Sequence, residues 1–249
     1  MNSCRKHSWQ FAPVWLGLLG LAVALRAYHL TGFIFNYDEA HWLLYVLNKR
    51  LLFEALRSSR PRPELLFPLI ASVPVRLFGP NELALRLWPV LAGSFSIFPL
   101  AALIFRLTGQ RVAALIGAAL LVVSPLHVYY SAHAIPDTVA LFFGLCALVW
   151  LMRARATNSV ASFIGMGIFL ALALLTKATA LYGWGFLVVA GYFLFENSRQ
   201  RRTFYAALGL SIVPLALVAS AILLRGQTMA FLHEPGVTSH FGPSLTRVG

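Results

Sequence analysis

Seven apolar runs, at about 11–30, 88–106, 112–130, 138–152, 160–176, 180–195 and 203–224, take up most of this 249-residue chain. Roughly 20 apolar residues let a helix cross a bilayer. A chain that repeats such runs can hide its apolar surface only in lipid. Backbone groups there must be satisfied internally, so the runs are expected as helices. The reading is an all-α, polytopic membrane protein with about seven transmembrane helices, forming one membrane domain over 1–249. Charged residues make up 11% of the sequence, against about 25% in soluble domains, which excludes a soluble globular fold. The first run lacks a small-residue cleavage site and is followed by further runs. It therefore reads as an uncleaved first helix and not as a signal peptide.

A further apolar stretch, 65–78, is only 14 residues long and contains Pro68, Pro74 and Arg76. Runs of about 10–14 residues are more often interfacial or re-entrant than spanning. If it does not span, Arg5, Lys6, Arg106, Arg111, Arg153, Arg155, Arg199, Arg201 and Arg202 all fall on one side, as the positive-inside rule asks of cytoplasmic loops. The outer face then collects Asp38, Glu39, Glu54, Glu64, Glu82, Asp137 and Glu234, and Glu196 alone lies inside. Residues 31–87 become a first outer loop with interfacial helices, and 225–249 an outer C-terminal segment. The formal charge of +12 is scattered among apolar runs, so it reports membrane topology; nucleic acid is not an expected partner. Two cysteines, Cys4 and Cys146, suit neither a disulfide framework nor a metal cluster.

Against this background the few ionisable residues stand out. Only two of eight acidic residues are aspartates, Asp38 and Asp137, and both are expected on the outer face. Asp38 and Glu39 open the segment NYDEAHWLLY, which suits a short amphipathic helix at headgroup level. N-capping is the plain alternative for Asp38, and again for Asp137 after Pro136. His127, Tyr129, Tyr130, His133 and Asp137 lie within eleven residues, and polar clusters at span tops usually line a cavity or pathway. Lys177, in LLTKATALYG, is either a snorkelling lysine or a cation for an anionic lipid headgroup. Arg86, in NELALRLWP, invites the same two readings. Carboxylates beside fixed cations suit transfer of a group from a phosphate-linked lipid. A carboxylate would act as general base on an acceptor hydroxyl, and the cations would stabilise the departing phosphate.

The DE pair at 38–39, RPELLFPL (62–69), LFGPNELALRLWP (77–89), SPLHVYYSAHAIPDTVALFF (124–143) and LLTKATALY (174–182) occur in the order and approximate spacing of a known group. Over about residues 11–235 the chain resembles the dolichyl-phosphate-mannose protein mannosyltransferase-like family of GT-C glycosyltransferases, which includes the lipid A aminoarabinose transferases. The resemblance implies transfer of a sugar from a polyprenyl-phosphate carrier to a lipid or protein acceptor, with inversion, on the outer face of the membrane. It matches Asp38 to the catalytic carboxylate, Glu39 to its partner and Asp137 to the second acidic position. Lys177 and Arg86 match basic positions near the carrier phosphate. His133, Tyr130 and Arg62 complete the expected substrate-binding set. No cofactor is firmly implied; Glu64 with His233 or His240 is the set that would offer a divalent metal a place.

Members of that family usually run on for several more spans, so the chain is expected to be C-terminally short. A bacterial cytoplasmic membrane is the expected location. The competing reading is a non-catalytic polytopic protein, such as a carrier-lipid binding or transport component. A transporter without this ancestry should place ionisable residues near the midplane between broken helices. Here the carboxylates sit at span ends.

Overall fold

The computed structural model describes residues 12–28, 30, 37–47 and 65–224, with side chains to residue 220. Among these residues every regular element is a helix and there is no strand. The chain begins with α1 (Ala12–Tyr28) and the short α2 (Tyr37–Leu47). Next come α3 (Leu66–Phe78) and α4 (Glu82–Phe95). Asn81 caps α4, its side chain accepting the Ala84 N–H at 2.8 Å. α5 (Ile97–Thr108) continues α4 after a break at Ser96, whose hydroxyl donates back to the Ala92 carbonyl. Such back-bonding loosens and bends a helix. Together α4 and α5 run for 27 residues, Glu82–Thr108, so this span begins earlier than the apolar run at 88 suggests.

α6 (Arg111–Val123) and α7 (Pro125–Ala132) divide the next span. Pro125 pushes Ser124 out of helical backbone, and the two halves meet at 56°. The remaining helices are α8 (Asp137–Thr157), α9 (Val160–Thr176), α10 (Ala180–Leu194) and α11 (Ser198–Leu224). Among the described residues three helical runs are long and apolar enough to cross a membrane, and a fourth if the bent pair counts as one span. α1, α9 and α10 have 17, 17 and 15 residues, close to the lower limit of about 17. These seven apolar elements coincide with the seven runs in the sequence. α3, with 13 residues, would reach only about 20 Å, short of the ~30 Å hydrocarbon core.

Two-residue turns fold the spans back on themselves. Gly109, at φ 70°, and Asn158, at φ 50°, end α5 and α8 in left-handed backbone, where glycine and asparagine are least strained. One end of the bundle therefore gathers Arg106, Arg111, Arg153, Arg155, Arg199, Arg201 and Arg202, with Glu196 among them. The other end gathers α2, the start of α4, the α7–α8 junction and the α9–α10 turn.

With lipid outside, helix association depends on close packing and small residues at contacts. A Cβ added at Gly167 of α9 would stand 2.9 Å from the Ala207 carbonyl oxygen of α11. The largest buried cluster joins α8 to α11 through Leu151, Phe163, Met166, Leu174, Phe204 and Leu208. A second cluster holds α2 and α3 against α4 and α8, with Trp42 and Phe67 at its centre.

Candidate active site

At the end of the bundle opposite the arginine clusters, two ion pairs of very different character are brought together from four helices. The first is formed by Glu39 of α2 and Arg86 of α4. Arg86 Nε donates to Glu39 Oε1 at 2.7 Å and Nη2 to Oε2 at 2.8 Å, and neither side chain is exposed. Arg86 Nη1 donates to the Leu30 carbonyl at 2.6 Å, and the Ala134 backbone N–H donates to Glu39 Oε1 at 2.7 Å. A planar guanidinium matched edge-on to a carboxylate is the strongest form such a pair takes. Its helix placement follows from pattern. Glu39, Trp42, Leu43 and Val46 follow i, i+3, i+4, i+7 spacing, which lines up one face of a helix. Glu39 and Trp42 are buried, and Leu43 and Val46 pack on the same cluster.

Asp38 is adjacent in sequence but projects about 100° away around the helix, and it is exposed. It lies within the first turn of α2, after Tyr37, and not at the capping position ahead of the helix. The carboxylate still complements the positive end of that helix.

The second pair joins Asp137 to Lys177, with Nζ donating to Oδ2 at 2.5 Å. Both side chains are partly exposed, 24% for Lys177 and 37% for Asp137. Pro136 occupies the capping position of α8, so Asp137 is the first helical residue and its side chain bonds the lysine instead of the backbone. Lys177 stands at the C-cap of α9, its N–H donating to the Ala173 carbonyl at 2.9 Å. An acidic group at a helix N-terminus and a basic group at a C-terminus are each stabilised by about 0.3–1 kcal/mol. Each charge is therefore supported by its own helix as well as by its partner.

From this pair an apolar cavity of about 380 Å³ extends between α8, α9 and α10. Leu141, Leu145, Leu148, Leu170, Phe186 and Leu187 line it, and Asp137 and Lys177 supply the charge. Ala134 and Asp137 are three residues apart, a reach of at most about 10 Å. The buried pair and the exposed pair therefore share one corner of the bundle.

His133, expected to face substrate, is buried and its Nδ1 donates to the Tyr129 carbonyl at 2.8 Å. The Tyr129 ring lies 4.3 Å from the imidazole. Tyr130 is 38% exposed and meets Tyr129 edge-on. His127 is also buried, with Nε2 donating to the Gly93 carbonyl at 3.1 Å. Arg62, and the Glu64, His233 and His240 set considered for a metal, lie outside the described residues. Among the described residues there is no group of three or more histidine, cysteine or acidic side chains placed to hold a metal ion.

The sequence profile of the dolichyl-phosphate-mannose-protein mannosyltransferase family matches residues 59–223. The chain belongs to this family. It is thereby a membrane glycosyltransferase of the GT-C type, and its all-helical bundle is of the kind that type uses. The matched region of the mannosyltransferase family includes Arg86, Ala134, Asp137, Lys177 and the whole apolar cavity. α2, with Asp38 and Glu39, precedes it. No curated protein sequence matches the chain.

Two participants were not foreseen from sequence. The Leu30 carbonyl and the Ala134 N–H that complete the buried pair are backbone groups and leave no trace in residue identity. Outside the two pairs, the sequence reading also passed over Arg26 in α1, which is wholly buried and donates to the Ala22 carbonyl at 2.7 Å. Its position inside the first apolar run was a usable signal, because charge within a span is costly and seldom idle.

Proposed function

We propose that this chain transfers a sugar from a polyprenyl-phosphate carrier to a hydroxyl of a lipid or protein acceptor, at the end of the bundle that carries Asp38, Asp137 and Lys177. The carrying observation is the cavity between α8, α9 and α10, apolar along its length and bearing a lysine at one end. A polyprenyl tail requires that apolar wall, and its phosphate requires that cation. Asp38, exposed at the same end, is the proposed base. It takes the proton of the acceptor hydroxyl as the acceptor oxygen bonds to the anomeric carbon. The bond from that carbon to the phosphate oxygen breaks, and its electron pair leaves on the phosphate. Direct displacement inverts the anomeric centre. Lys177 stabilises the charge developing on the leaving group, a form of electrostatic help that acts most strongly where water is excluded.

In this scheme Glu39 and Arg86 set the position of α2, and with it Asp38. The outer face of a bacterial cytoplasmic membrane is the proposed setting, since it leaves the arginine-rich end inside. The test is Asp38→Asn in membranes supplied with a polyprenyl-phosphate sugar, scoring release of polyprenyl monophosphate. Loss of a general base should slow transfer about 10²–10⁴-fold with expression and melting unchanged, because the side chain is exposed. Undiminished transfer would reduce Asp38 to a charge that decorates a helix start.

A further inference from the structure

We propose that Asp137 is the resident counter-ion of the carrier-phosphate site: it holds Lys177 in the absence of carrier, yields it to the carrier phosphate, and reclaims it to expel the product. The inference rests on the reading of Lys177 as the phosphate cation and adds a role for its partner. Three observations carry it. The pair stands at the charged end of the apolar cavity, so a phosphate whose tail fills that cavity arrives at the Nζ that Asp137 occupies. Both side chains are partly exposed, so neither is trapped when they part. Each also sits at the helix end that favours its own charge, which lowers the cost of separating them.

The contrast with Glu39 and Arg86 defines the point. That pair is fully buried, bidentate and tied to two backbone groups. Separating it would deprive two buried charges of each other and leave them only backbone groups and, for Arg86, the Glu82 carboxylate at 3.6 Å, so it does not exchange during turnover. Two pairs share one corner, one fixed and one exchangeable, and only the exchangeable one faces the cavity.

Exchange has a consequence for the reaction cycle. The sugar-linked carrier is a phosphodiester with one negative charge. The spent carrier is a monoester, and a phosphate monoester carries about −1.5 to −2 near neutral pH. The product therefore grips Lys177 harder than the substrate does, and unaided release would be slow. Asp137, tethered beside the same nitrogen, competes with the spent phosphate and speeds its departure.

The experiment measures binding of farnesyl monophosphate, with farnesol as an uncharged control, to wild type, Asp137→Asn, Lys177→Gln and the double variant in nanodiscs of zwitterionic lipid. Removing the competing carboxylate should tighten farnesyl monophosphate by about two- to fivefold, the range of a partly exposed ion pair. Lys177→Gln should weaken it, and the double variant should equal Lys177→Gln. Farnesol should bind all four alike, which also verifies that the cavity is intact. In turnover, Asp137→Asn should lower KM for the donor, lower kcat, and make polyprenyl monophosphate a stronger product inhibitor.

Weaker farnesyl monophosphate binding by Asp137→Asn, with farnesol unchanged, would overturn the exchange and leave Lys177 as the phosphate cation. Unchanged binding by Lys177→Gln would instead overturn the phosphate reading itself. Asp137→Ser, which keeps a residue tolerated at a helix start, replaces the amide variant if that variant does not fold.

Discussion

Glu39 and Arg86 show how differently two charged pairs can serve one site. Removing one member of a buried pair strands the other and costs about 3–5 kcal/mol. Arg86→Met alone should therefore lower the melting midpoint in detergent sharply. Glu39→Gln added to it should recover much of the loss, since no lone charge then remains buried. Lys177→Gln should cost under about 1 kcal/mol, as for other exposed pairs. A large melting shift for Lys177→Gln with none for Arg86→Met would reverse the assignment of fixed and exchangeable pairs.

At this scale the sequence carried part of the answer. The stripe Glu39, Trp42, Leu43, Val46 already separates an inward Glu39 from an outward Asp38, because aromatic and aliphatic residues share the glutamate's face. It could not identify Arg86 as the partner. Their 47-residue separation is closed by tertiary packing, and the same packing turned an arginine expected at the carrier phosphate onto a glutamate.

Helices were the most legible elements, since length and apolarity alone mark them. Their interruptions were not. Ser124–Pro125 reads in sequence as a dipeptide that can end a helix or merely kink one, and only the packing of α7 against α4 and α1 decides for the 56° bend. The start of the second span at Glu82 was hidden because Glu82 and Arg86 look polar, whereas Asn81 caps the helix and Arg86 is neutralised inside it. Helix contacts made by glycine leave a signal only in their spacing. Gly167→Ala would drive a methyl to 2.9 Å from a backbone carbonyl, and overpacking of this kind costs about 1–3 kcal/mol. Gly144→Ala, where nothing stands within 4 Å, should melt at or slightly above wild type. Equal melting of the two variants would mean that α9 and α11 are not held in contact through Gly167.

Taken whole, the bundle keeps seven of the ten arginines among its described residues at one end and its candidate chemistry at the other. Arg153 lies over the Trp150 ring at 5.2 Å and Arg201 over Tyr192 at 5.5 Å. Both are cation–aromatic stacks suited to the lipid–water boundary. Such sidedness predicts a labelling pattern. In a background lacking Cys4 and Cys146, cysteines at Gln110 and Thr157 should react with an impermeant reagent from one side only. Cysteines at Tyr37 and Thr179 should react from the other. Labelling of Gln110 and Thr179 from the same side would dismantle the alternation of spans. This sidedness was readable in advance because the turns are short and their charge is lopsided. The corner shared by α2, α4, α8 and α9 was not, since it assembles four segments spread over more than half the chain.

The buried glutamate also imposes a schedule on biosynthesis. Glu39 leaves the ribosome 47 residues before Arg86 and 95 before Ala134. At about 5–20 residues per second, that is a wait of some 5–20 s for its last partner. An unpaired carboxylate cannot enter an apolar interior, so until Arg86 is made, about 2–9 s at that rate, it must remain in water at the bilayer edge. α2 is thus made second and docked later, a clasp that can close once α4 has emerged and that the Ala134 N–H completes.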